Sequence, residues 1–426
     1  MFAGGVVVCS GRGCNVTFTN VSFERCTVVA VAGATVTLTA CVFSLDPSAR
    51  HGLALLASGA GTTVHMGAHG VEGCTIEGGL QGVSVQAGAK LHASCLVVTQ
   101  VSVVGVEVTG AGSQLELHNC DICSFPRLQK VGIVGVHELN ADSSEEHESL
   151  NVAVAVRKRS SAHLNQVKVR KVGCGVEVDD ASATLVACTV EDVQGGACLE
   201  FGNGARGAVK DCTLMKSRDS GISASGAKTK VDVSDCGLQG HWHGGLYIWQ
   251  GAQIAAQRCH ASGNKEAGYV AADDGTLLTL TDCESTGDQI GCSAKEGGKL
   301  VATRVTVDES VTGGIVAWEG GKGACTECVV TAARDRGVVV CEAGNVSLKK
   351  CAVRSCMREG VYVNGAQSKA DLSDCEVQDA GAKPFIGFPM LLLACVSWFW
   401  FMYACLCCFC SHLNSLPAVI LATGAV

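Results

Sequence analysis

A glycine followed by a short apolar strand returns about every 23 residues through most of this chain. The series runs Gly82, Gly105, Gly175, Gly196, Gly221, Gly245, Gly268, Gly291, Gly314, Gly337 and Gly360, and the step is 23 throughout from Gly245 onward. A second series trails it by about fourteen residues: Cys188, Cys212, Cys236, Cys259, Cys283, Cys328, Cys351 and Cys375, with Val305 on the missing rung. Fixed periods of this size mark a repeat architecture, in which each unit buries its apolar face only against its neighbours.

One unit, Gly245 to Ser262, reads GLYIWQGAQIAAQRCHAS. It has a short alternating strand, a Gly-bearing turn, a second alternating strand, a cysteine and a short third strand. Period-two alternation and β-branched residues predict strands. Only five prolines occur in the chain, as ladders that need every backbone N–H require. Three strands in about 23 residues predict one coil of a parallel β-solenoid, all-β, of roughly fourteen coils. The residues one and three after each glycine are then inward: Val83 and Val85, Val176 and Val178, Ile222 and Ala224, Leu246 and Ile248, Ile315 and Ala317, Val361 and Val363. None is polar, which supports this phase.

These units resemble the repeats of right-handed parallel β-helix proteins, the pectin-lyase-like superfamily. The likeness is nearest to the Cys- and Gly-punctuated repeats of certain F-box-associated β-helix proteins, and it covers roughly residues 15 to 380. It implies a right-handed solenoid. It leaves function open, because this fold carries lyases, hydrolases, epimerases and plain binding modules.

Net charge is −8, which argues against a nucleic-acid partner. Arg157 to Arg159 with Lys168, Arg170 and Lys171 form one basic patch, read as a solvated face. Stacked coils lie about 4.8 Å apart. The chain has 27 cysteines, and equivalent thiols on stacked strands point in parallel, poor geometry for a disulfide. The ladder therefore reads as buried free thiols, suited to a reducing compartment. Cys120/Cys123 and Cys325/Cys328 are too far apart to share a zinc ion, so each is expected to be one ladder cysteine plus a bystander. His241 and His243 flank Trp242 and read as a surface turn, with metal binding the alternative. No dedicated metal or cofactor site is expected.

The domain plan is a solenoid over 1–382 and a distinct tail over 383–426. The amino terminus, MFAGGVVVCSGRGC, reads like the middle of a coil rather than a signal peptide. The acidic, aperiodic stretch His137 to Leu150 is an insertion loop. Pro384 to Val426 contains no Asp, Glu, Lys or Arg, and its segment 385–410 is long and apolar enough for a hydrophobic helix that spans a bilayer. Cations lie only on its amino side, which predicts a single-pass carboxyl-terminal anchor with the solenoid facing the cytosol; a soluble cytoplasmic protein is the alternative. Three sequons, at Asn15, Asn20 and Asn345, point instead toward secretion.

The residues two and four after each glycine are outward on the first sheet. They place Glu107, then Glu177 and Asp179, then Glu200 from the adjacent coil, then Tyr247, Trp249 and Trp318 on one face. Carboxylates beside aromatic platforms suit a carbohydrate. The leading expectation is a non-catalytic recognition scaffold for a protein segment or glycan along this face. The alternative is a polysaccharide lyase or hydrolase using Glu177, Asp179 and Glu200 as acid and base. The resemblance allows that enzyme a calcium ion. Lys295 is four coils from Glu200 and no histidine falls in the outward series, so the enzyme reading lacks a base.

Overall fold

The computed structural model describes residues 1–46, 52–67, 73–123, 125 and 151–381. The expected insertion loop at 137–150 and the expected helix at 385–410 lie outside these residues. Among the described residues every strand pairs in parallel with its counterpart in the next coil, and no helix occurs. The Gly245 unit folds as Gly244–Trp249, Gln253–Gln257 and His260–Ser262. The middle strands stack into one 15-stranded sheet, so the solenoid has about fifteen turns rather than fourteen. The extra turn is Val152–Arg157 with its two partners: Ala153 stands on the glycine rung there, and a search for glycine passes over it.

The inward series is buried as its phase predicts. Val83, Val85, Val176, Val178, Ile222, Ala224, Leu246, Ile248, Ile315 and Ala317 all lie in one continuous core. Val361 and Val363 are only half-buried, in the last described coil. At the other end Phe2, Phe23 and Phe43 stack in register, with ring centroids 5.5 and 4.6 Å apart.

The glycine rung exists because there is no room for a side chain. Gly245 keeps an ordinary backbone, but a Cβ there would meet the carbonyl oxygen of Gly268 at 2.6 Å. At Gly314 a Cβ would meet Val330 Cγ1 at 2.3 Å and the Gly337 oxygen at 2.6 Å. Ala54, Ala153 and Cys198 also stand on this rung. Cys198 corrects the sequence reading: Val176 pairs with Leu199, which puts Cys198 beside Gly175 and moves Gly196 into the preceding turn.

The cysteine ladder is longer than its period suggests. Register extends it from Val21 through Cys41, Cys74, Leu96, Cys120, Val167 and Cys188 to Cys375. The early coils are uneven, short where Val16 pairs with Val36 and long where Val36 pairs with Val64 and Val64 with Leu91, which hid this continuation. All 22 cysteines among the described residues are free thiols. The ladder sulfurs sit near carbonyl oxygens, as with Cys188 Sγ 3.4 Å from both Leu164 O and Val186 O. Burial pushes the Cys120 thiol up to about 11, which keeps it neutral. Before most ladder residues the chain turns through the left-handed region, at Asp211, Asp235, Arg258, Asp282, Arg304 and Asp374 among others. Asp and Asn tolerate this conformation better than other side chains.

Gly314→Ala is expected to lower stability by about 1–3 kcal/mol through overpacking. Gly237→Ala, where a Cβ meets nothing within 4 Å, should be close to neutral. Urea unfolding midpoints of the two variants check the pair.

Candidate functional site

The outward face of the long strands carries two distinct clusters. In the first, Glu107, Ala155, Glu177 and Glu200 follow one another on one rung, and Thr109, Arg157, Asp179 and Gly202 on the next. Glu200 thus stacks on Glu177, not on Asp179 as the Gly196 phase implied. The basic patch is solvated as expected at Lys158, Arg159, Lys168, Arg170 and Lys171, and Arg157 is the exception. Arg157 is not a free solvated cation: its Nε and Nη2 donate to the two Glu177 oxygens at 3.1 and 2.6 Å, and Nη1 donates to Glu107 at 3.3 Å. Gln81 donates to the other Glu107 oxygen at 2.7 Å, and Asn203 donates to Asp179. Of the three predicted carboxylates, Glu177 is bound by a guanidinium that the glycine series could not see, Asp179 by Asn203, and Glu200 stacks on Glu177 in register. Glu200 still reaches solvent. Crowding by its neighbours, with Glu177 and Asp219 close by, pushes its carboxyl above the ordinary range.

The second cluster begins two coils on. Small outward residues, Val270, Ala272, Ser293 and Val316, form a floor that larger neighbours cover, leaving each no more than 9% exposed. Tyr247 and Trp249 stand at one end, their rings edge-on at 5.3 Å. Trp318 stands at the other. Lys295 crosses between them, with Nζ 5.2 Å from the Tyr247 ring centre, 5.8 Å from that of Trp318 and 3.2 Å from Glu266. Burial works against the Lys295 charge, but Glu266 and Tyr247 outweigh it, and the ammonium is held above its ordinary value. Burial likewise raises the Tyr247 hydroxyl. The Trp318 indole N–H is buried without an acceptor.

Turn residues complete this cluster, and the outward series missed them because they precede the strands. His243 reaches the face: its ring centre lies 6.1 Å from that of Tyr247 and its Nδ1 lies 3.3 Å from Asp219 Oδ1. The Asp219 carboxylate raises its pKa. His241 has a different fate. It does not pair with His243 but lies fully buried, its Nδ1 accepting from the Ser217 N–H at 3.2 Å and its Nε2 donating to Leu214 O at 3.1 Å. Next in this turn stack come Asn264, whose Oδ1 accepts from the His241 N–H, and Asp288, which accepts from the Asn264 N–H at 2.7 Å and from Ser285 at 2.6 Å. This internal polar column holds the turns that present Asp219, His243 and Glu266.

Residues 174–327, which contain Glu177, Asp179, Glu200, the aromatic trough and the polar column, match the family model for a right-handed β-helix region. That match covers about a third of the chain, and the parallel solenoid of the described residues continues on both sides of it. No curated protein matches it. Among solved structures the β-helix is similar to a periplasmic alginate epimerase (9% identical, TM-score 0.39, covering 82% of this chain and 78% of the other). It is also similar to the receptor-binding domain of the siphovirus 9NA tailspike (11%, 0.36, 92% and 75%). A third is the mannuronan C-5 epimerase A-module of Azotobacter vinelandii (11%, 0.30, 82% and 87%). Likenesses this distant bear on neither ligand nor activity.

The column makes opposed contributions to stability with pH. Burial holds His241 down to about 4 from its ordinary 6.5, so between those values the unfolded chain binds more protons and stability rises with pH. Burial raises Asp288 from 3.8 to about 6, so over that window the folded chain binds more protons and stability falls with pH. Each contribution reaches about 3 kcal/mol and the two largely cancel. Asp288→Asn should expose the His241 slope as a climb in stability from pH 4 to 6.5, and His241→Gln the opposite slope, in urea unfolding across that range.

Proposed function

We propose that this β-helix is a recognition scaffold for a glycan, bound along the outward face from Glu107 to Trp318, without chemistry on it. The observation that carries the reading is the row of half-buried rings Tyr247, Trp249 and Trp318 on one outward face, with Lys295 between them. Such rings offer flat apolar faces to a sugar. Lys295, partly engaged by Glu266, supplies a donor for hydroxyl or acidic groups. A cation between two rings and a sugar face on an indole are additive, non-covalent contacts. Glu177, held by Arg157, Asp179, held by Asn203, and Glu200 extend the same face two coils away with acceptors.

A second reading, a polysaccharide-active enzyme, is favoured by one observation: the Asp219–His243 pair beside Tyr247 supplies the base that the acidic cluster lacks. Cytosolic exposure of the solenoid on a single carboxyl-terminal anchor is a separate proposal. It rests on the free thiols and the flanking cations, and protease protection in sealed microsomes tests it.

A glycan array followed by titration of the best ligand tests the main reading. Lys295→Met and Trp318→Ala should each weaken binding by about 1.4 kcal/mol, tenfold in affinity. Unchanged affinity in both variants would remove the trough from the account. Turnover of the bound glycan, lost in His243→Ala, would favour the enzyme reading.

A further inference from the structure

The middle-strand sheet carries a row of side chains that the glycan reading leaves unused. His65, His92, Glu116 and His163 occupy one outward register position on four consecutive coils, since His65 pairs with His92, His92 with Glu116 and Glu116 with His163. The His65 and His92 rings lie nearly parallel, 13° apart, with centres 5.2 Å apart. Glu116 Oε2 stands 2.6 Å from His92 Nδ1.

That last contact has a chemical consequence. A carboxylate at Nδ1 takes the Nδ1–H, so the Nε2 lone pair of His92 is free and the ring is fixed in orientation. Histidines that ligate metals carry such a carboxylate on their other nitrogen. The neighbouring imidazole supplies a second Nε2 from the adjacent strand. As the side chains stand, no three His, Cys, Asp or Glu groups among the described residues converge on one point. To share an ion the two rings must turn out of their stacked arrangement until both Nε2 lone pairs converge at metal–nitrogen distances of about 2.0–2.1 Å. His92 is more than a third exposed, which leaves room for that turn.

The geometry points to a divalent transition-metal site on this sheet, with His65 and His92 as ligands through Nε2, Glu116 orienting His92, and water in the remaining positions. Imidazole donors with water select the later first-row ions, copper, nickel and zinc, over magnesium and calcium. The site is remote from the trough in the register and does not depend on the glycan reading.

Cobalt(II) is a suitable probe, because thiolate ligation adds near-ultraviolet charge-transfer bands that imidazole and water do not. Titrated into the full chain under reducing conditions, cobalt should bind without those bands. His65→Ala and His92→Ala should each weaken it by about tenfold or more, and Glu116→Gln by less. His260 is the control: its Nδ1 faces Glu284 at 3.4 Å, but Gly237 and Glu284 flank it in register and it has no imidazole neighbour. His260→Ala should leave binding unchanged. Undiminished uptake in the His65→Ala/His92→Ala double variant, or binding seen only through thiolate bands, would overturn the assignment.

Discussion

Successive coils are joined by parallel backbone hydrogen bonds at about 4.8 Å, and that spacing decides what each rung contains. Two side chains at one register position touch whatever their chemistry. Where the rung faces the core, the requirement is shape. Phe23 stacks on Phe43, thiols stack on thiols, and the glycine rung stays empty because the next carbonyl and a β-branched residue such as Val330 already fill it. Where the rung faces outward, the requirement is charge and reach. The column Asp235, Arg258, Asp282 and Arg304 alternates in sign, with each arginine donating to the preceding aspartate at 2.6 Å.

The same rule builds the two outward clusters. Glu107, Glu177 and Glu200 would repel one another on a bare stack; Arg157, one rung over, satisfies two of them and leaves Glu200 with a raised pKa. Farther along, bulky Tyr247, Trp249, Lys295 and Trp318 close over small neighbours, and the sheet gains relief that a flat solenoid face lacks. Beneath them, His241, Asn264 and Asp288 satisfy the turn backbone from inside. A fully hydrogen-bonded polar column rigidifies what it supports, so the surface groups at Asp219, His243 and Glu266 are presented on fixed turns.

The solenoid was legible because its constraints recur: one missing Cβ and one small buried residue per coil leave a period in the sequence. What escaped was whatever broke the period or sat outside it. Ala153 replaced a glycine, so Arg157 was read as a loose cation instead of the partner of Glu177. Cys198 replaced another, which displaced Glu200 by one rung. His243 and Glu266 lie in turns ahead of the strands, where period-two alternation says nothing about direction. His241 and His243 looked like a pair, yet one faces the core and the other solvent. Residue type alone does not separate them, since both sit beside the same tryptophan.

The most direct test of the account is a crystal structure of the chain with a glycan selected by its own binding. The account predicts a sugar ring against Trp318 or Trp249 with an oxygen beside Lys295 Nζ. A glycan seated on the middle-strand sheet, or at an open end of the solenoid with the trough empty, would contradict it.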